Sequence, residues 1–136
     1  MMPEQIFPVA NLVALAAWIL LAVFPRRAVV STIVGTATPA LLATIYAAVV
    51  VLMWSSRTGG FGSLAEVASL FSNRWLLLAG WIHYLAFDLL IGHWEVRDAQ
   101  SRGIPHALVL PSLALTFLFG PAGWLLYLIL RTARSR

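Results

Sequence analysis

Asp88 lies inside an apolar stretch, Trp75 to Trp94, that is otherwise free of Asp, Glu, Lys and Arg. Placing a carboxyl group in hydrocarbon costs from about 3 to more than 10 kcal/mol, depending on snorkelling and recruited water. A chain that carries one there offsets the cost with a partner, a ligand, a proton path or a reaction. At about 100° of rotation per residue, Trp81, Tyr84, Asp88, Gly92 and Glu95 share one helical face. His83, Phe87, Leu90 and Trp94 share another. A carboxyl group with a histidine in reach is an acid/base pair. The residues that could complete such a pair are His83, deeper in the same helix, and His106, at the start of the next apolar stretch. Asp88 stands six residues before Trp94, about 9 Å along a helix, so it sits below the surface but short of the midplane. Asp88, His93, Glu95 and His106 are expected to gather at one end of the bundle.

Each of these residues also has a plainer role. Asp88 can hold a facing helix by a hydrogen bond, and His83 can be a packing residue. Glu95 and Asp98 read equally as a hydrated helix end paired with Arg97 or Arg102. No compact ligand run such as His-Glu-x-x-His is present, so no metal site is expected. The absence of cysteine excludes disulfides, iron–sulfur clusters and thiolate chemistry.

The elements that must position these groups follow from hydropathy. Of the 136 residues, 61% are hydrophobic and 10% charged, against about a quarter charged in a soluble domain. Apolar stretches cover residues 5–25, 31–54, 75–98 and 105–130, and about 20 such residues cross the hydrocarbon. The fold class expected is all-α, a polytopic membrane protein: one domain, 1–136, of four transmembrane helices. Continuous apolar runs do not fit the alternating strands of a membrane barrel.

Pro39 is expected to kink the second helix, with Thr36 and Thr38 satisfying freed backbone, and Ala43 and Ala47 offer a close-approach spacing. Ser63-Leu64-Ala65-Glu66 is a capping-box pattern. Leu64, Val67, Ala68 and Phe71 then recur at helical spacing, so a short interfacial helix is expected between the second and third spans. The fourth stretch begins at Pro105 and carries Phe119-Gly120-Pro121-Ala122-Gly123, where a kink or split at membrane depth is expected. The lipid bilayer is the partner this composition implies.

The net charge of +4 comes from nine arginines without any lysine. They fall at helix ends, which fits interfacial anchoring and not a nucleic-acid face. With four spans, Arg26, Arg27, Arg97 and Arg102 face Arg57, Arg74, Arg131, Arg134 and Arg136 across the membrane. Four against five leaves the orientation open. No basic leader precedes the first apolar stretch, so that stretch is expected to be retained.

The run Trp81-Ile82-His83-Tyr84-Leu85-Ala86-Phe87-Asp88-Leu89, then Asp98, His106 and Phe119-Gly120-Pro121-Ala122-Gly123, resembles the abscisic acid deficient 4-like family. Tyr46, Trp54 and the segment from Leu64 to Trp75 extend the likeness over most of the chain. These are small polytopic membrane proteins whose plant members are required to make neoxanthin from violaxanthin. The resemblance implies a four-helix membrane fold and an association with carotenoids. Lacking the plastid transit peptide of plant members, the chain is expected in a bacterial inner membrane. His93 stands where plant relatives are expected to carry a basic residue.

Converting an epoxide to an allene needs an acid for the epoxide oxygen and a base for a proton on the polyene side, with no redox cofactor. Hydrocarbon favours the neutral form of a carboxyl group, which suits such chemistry. The first expectation is an isomerase acting on a carotenoid or other isoprenoid lipid. Asp88 would be acid or base, with His83 or His106 as its complement. Trp81, Tyr84, Gly92, Glu95, Phe119, Gly120 and Pro121 would line the substrate. No cofactor is expected beyond a bound carotenoid or other pigment. Two alternatives stay open: a non-catalytic pigment-binding or assembly subunit of a larger membrane complex such as a photosynthetic one, and a proton-coupled transporter, which would need a homo-oligomer.

Overall fold

The computed structural model describes residues 1–134, and over them the chain is helical with no strand. Arg136, counted above among the helix-end arginines, lies outside the described residues. Helix α1 runs Pro3–Val23, with proline in its first turn, and ends before Pro25. The residue preceding a proline is disfavoured in helical conformation, so the chain stops there. Helix α2 occupies Ala28–Ser56. Its regular course is interrupted by a π-helical turn, Ile33–Ala37, just before Pro39. Proline has no N–H to give to the carbonyl of Gly35, and the wider turn accommodates that loss.

Helix α3, Leu64–Leu70, is the expected short element. Ser63 accepts a hydrogen bond from the Glu66 amide at 3.1 Å, and the Glu66 carboxylate accepts one from Gly62 N at 2.7 Å. Helix α4, Arg74–Ser101, is the longest and lies at the centre of the bundle. Asn73 caps it, accepting from the amides of Trp75 and Leu76. Helix α4 packs against α1 through Ala10, Ala14 and Ala17 and against α2 through Leu42 and Val34, with Ile82 and Leu89 fully buried. Helix α2 lies close along α4 as well, but not through its alanine pair. Ala43 and Ala47 of α2 are exposed, contrary to the expectation placed on them.

The fourth apolar stretch does not cross. It forms two 14-residue helices, α5 (His106–Phe119) and α6 (Pro121–Arg134). Fourteen residues reach about 21 Å, short of the roughly 30 Å hydrocarbon thickness. Gly120, with φ +38° and ψ −93°, separates them. It closes α5 by donating to Thr116 O at 2.9 Å, and its own carbonyl starts α6 by accepting from Trp124 N at 3.2 Å.

Three observations fix where α6 goes. Gly123 lies directly against Thr116, where any β-carbon would collide with the backbone. Tyr127 Oη donates to Asp98 Oδ2 at 2.6 Å, and its ring meets Trp94 edge-on at 5.6 Å. Arg131 Nε reaches the same Asp98 oxygen at 3.1 Å. Asp98 is at the end of α4 from which α5 sets out, and there His106 Nε2 lies 2.8 Å from Ala22 O. The pair is thus a re-entrant hairpin that returns to its starting side. Three helices, α1, α2 and α4, are long and apolar enough to span, and the expectation of four spans is corrected to three plus the hairpin.

This redistributes the arginines. Arg26, Arg27, Arg97, Arg102, Arg131 and Arg134 fall at the end holding Asp98 and His106, and Arg57 and Arg74 at the other. Among the described residues, the near balance expected from four spans becomes six against two.

Candidate functional site

The hairpin explains why one face of α4 is polar. Where α5 breaks, its last carbonyls lose their helical donors, and within a bilayer they must be satisfied by protein. Tyr84 Oη donates to Leu118 O at 2.8 Å and lies 3.4 Å from Phe117 O. One turn further along α4, Asp88 lies against Gly120. A β-carbon at position 120 would stand 2.6 Å from Asp88 Oδ1. The tip is therefore glycine for two reasons, its positive φ and the carboxyl group beside it.

Asp88 Oδ2 is buried and has no hydrogen-bond partner. The carboxyl group adjoins the start of α6, the helix end whose dipole favours negative charge. It also borders a cleft of about 180 Å³ lined by Asp88, Ile91, Gly120, Pro121 and Trp124. Apart from the carboxyl group, the side chains around this cleft are almost entirely apolar. A carboxyl group beside such a recess, with one oxygen left without a partner, can exchange a proton with an apolar molecule held there once that oxygen turns toward it.

Glu95 occupies the same face two turns beyond Asp88 and is fully buried. Thr116 Oγ1 lies 2.9 Å from its Oε1, 3.2 Å from its Oε2 and 2.8 Å from Ser112 O. A hydroxyl has a single proton, so only one of these contacts is donated by Thr116 at a time. If Thr116 donates to Ser112, a proton carried by Glu95 completes the chain. Between the two carboxyl groups, Gly92 accepts the ring of Trp18 from α1, which packs edge-on against Phe117 at 5.7 Å.

Tyr84, Asp88, Gly120 and Pro121 thus come together, with Gly92 and Glu95 on the same face. Trp81 stacks on Tyr84 at 5.2 Å and donates to Asn11 Oδ1 at 2.7 Å. The other residues singled out by sequence are dispersed. Phe119 points outward and is 64% exposed. His83 lies on another face, between Tyr46 at 5.6 Å and Phe87 at 4.8 Å, along a groove shared with Trp54 and Phe71. His106 is engaged with Ala22 at the Asp98 end, and His93 with Ser31 Oγ at 2.8 Å. The expected cluster of Asp88, His93, Glu95 and His106 does not form, because each side chain leaves its helix toward a different neighbour. Asp98 pairs with Arg102 and Arg131. Among the described residues no three His, Cys, Asp or Glu side chains come together as metal ligands would.

Sequence reasoning passed over Thr116, Ser112, Ile91, Trp124 and Tyr127. Ser112 and Thr116, four apart in an apolar stretch, were a readable signal of a polar helical face. The pairing of Tyr127 with Asp98 had no local signature.

The family described as ABA DEFICIENT 4-like matches residues 5–127. The chain belongs to this family. The matched region of this ABA4-like protein takes in α1 through the first half of α6, including the whole site. Membership and the three long apolar helices fit an integral membrane protein of a family linked to neoxanthin synthesis. No curated protein and no solved structure matches the chain.

Proposed function

We propose that this ABA4-like protein isomerises a carotenoid or another isoprenoid lipid by proton transfer at Asp88. The observation that carries the reading is the buried, unpartnered Oδ2 of Asp88, in a carboxyl group that borders an apolar recess at the hairpin tip. His83 and His106 lie elsewhere, so the reaction is assigned to one carboxyl group working in both directions. Protonated Asp88 gives its proton to the oxygen of an opening epoxide. As the C–O bond breaks, a C–H bond on the polyene side gives up its proton to the carboxylate and its electrons form the new C=C bond. The carboxyl group ends as it began, and the product is an isomer of the substrate. Tyr84 positions the tip, and Glu95 with Thr116 anchors α5.

Expression of the protein in a host that makes epoxy-carotenoids tests this. An isomer of unchanged mass should appear with the parent chain and be absent with Asp88→Asn at equal membrane abundance. An Asp88→Asn strain with the parent pigment profile overturns the reading. Pigment that co-purifies stoichiometrically without being converted, by parent and variant alike, supports a binding subunit instead.

A further inference from the structure

Because the hairpin enters from one side and turns back at Gly120, it covers only half of the α4 stripe that bears Asp88. At about 100° per residue, Arg74, Leu77, Trp81 and Asp88 lie along one stripe of α4. Beyond the tip the stripe is uncovered: Leu77 is 53% and Trp81 39% exposed. Helix α1 borders it there, and the two helices enclose a groove of about 350 Å³ lined by Phe7, Leu77, Leu78 and Trp81. The rings continue toward the cleft, with Phe7 5.5 Å from Trp81 and Trp81 stacked on Tyr84 at 5.2 Å. At the outer end of the groove, Arg74 and Glu4 form an ion pair.

We infer that this groove is the binding track for the long axis of the substrate: a linear, stiff apolar molecule whose hydroxylated end rests on the Glu4–Arg74 pair while a more distant segment reaches Asp88. From Arg74 to Asp88 is fourteen residues, about 21 Å of helix. Flat aromatic rails suit a planar conjugated chain better than a flexible acyl chain. The ion pair selects the end group. A hydroxyl can donate to the Glu4 carboxylate and accept from the Arg74 guanidinium, whereas a phosphate would meet the like charge of Glu4. This rests on the acid/base reading of Asp88 for its direction, but its test measures binding alone.

Zeaxanthin, a polyene with hydroxylated rings, and β-carotene, its counterpart without hydroxyls, are the probes. Each is added to immobilised, detergent-solubilised protein, and the polyene retained per protein after washing is read by absorbance. Leu77→Trp fills the groove at a lipid-facing position, and Val51→Trp makes the same change on α2, where Val51 is 78% exposed. Leu77→Trp should lower zeaxanthin retention at least fivefold, and Val51→Trp should leave it at the parent level. The parent should prefer zeaxanthin, and Arg74→Gln should remove that preference. Equal retention by the two tryptophan variants, or no preference in the parent, overturns the track, whatever the outcome at Asp88.

Discussion

Gly120 Cα and the Asp88 carboxyl group share one site: the room that a side chain at 120 would need is filled by Asp88 Oδ1. The hairpin turn and the proposed reacting group are therefore one structural unit. The tip can form only where a residue without a side chain meets the carboxyl group, and the carboxyl group is shielded only because the tip is there.

Gly120→Ala should accordingly be costly twice over, through its positive φ and through contact with Asp88. The expected loss is about 1–3 kcal/mol from the backbone alone, with more from the clash. Thermal unfolding in detergent checks this. Asp88→Ala in the Gly120→Ala background should recover part of the loss, a coupling between neighbours that independent sites would not show.

The return of α6 rests on Asp98, which takes Tyr127, Arg102 and Arg131 together. Tyr127→Phe removes one hydrogen bond to a charged acceptor, worth about 1.5–3 kcal/mol. It should lower the unfolding temperature. It should also raise the labelling rate of a cysteine introduced at Leu130, since the chain has none of its own.

Three crossings place the N-terminus and the end of α6 on opposite sides of the membrane, whereas four would place them together. Among the described residues, six arginines against two predict that the Asp98 end faces the cytoplasm. Reporter fusions should therefore score the N-terminus as outside and the C-terminus as inside. Both termini on one side would contradict the hairpin.

Much of this was legible in the sequence. The apolar lengths mark α1, α2 and α4, Ser63 and Glu66 mark the cap of α3, and the helical period sets Tyr84, Asp88, Gly92 and Glu95 on one face. The break at Gly120-Pro121 was equally visible, but its consequence was not. A kinked span and a re-entrant hairpin have the same hydropathy, and the choice rests on Gly123 against Thr116 and on Tyr127 and Arg131 meeting Asp98, contacts between residues distant in sequence. Of the histidines, His106 misled for a similar reason. The helical period already set His83 on a face away from Asp88, and its ring goes to Tyr46; His106 was expected to lean over the Asp88 face, but its side chain goes to Ala22.

His83→Ala and His106→Ala should thus leave conversion within a few-fold of the parent. His106→Ala loses its contact with Ala22 O, at a cost of about 1 kcal/mol in stability. A drop of a hundredfold in turnover for either variant would return a histidine to the reaction.

The central claim is that the Asp88 proton does the chemistry. Its most direct test is turnover of an epoxy-carotenoid by purified protein in lipid nanodiscs, with product read by chromatography and mass. The account predicts an isomer of unchanged mass from the parent, at least about a hundredfold less from Asp88→Asn, and measurable activity from Asp88→Glu. Equal turnover by the parent and Asp88→Asn would contradict it.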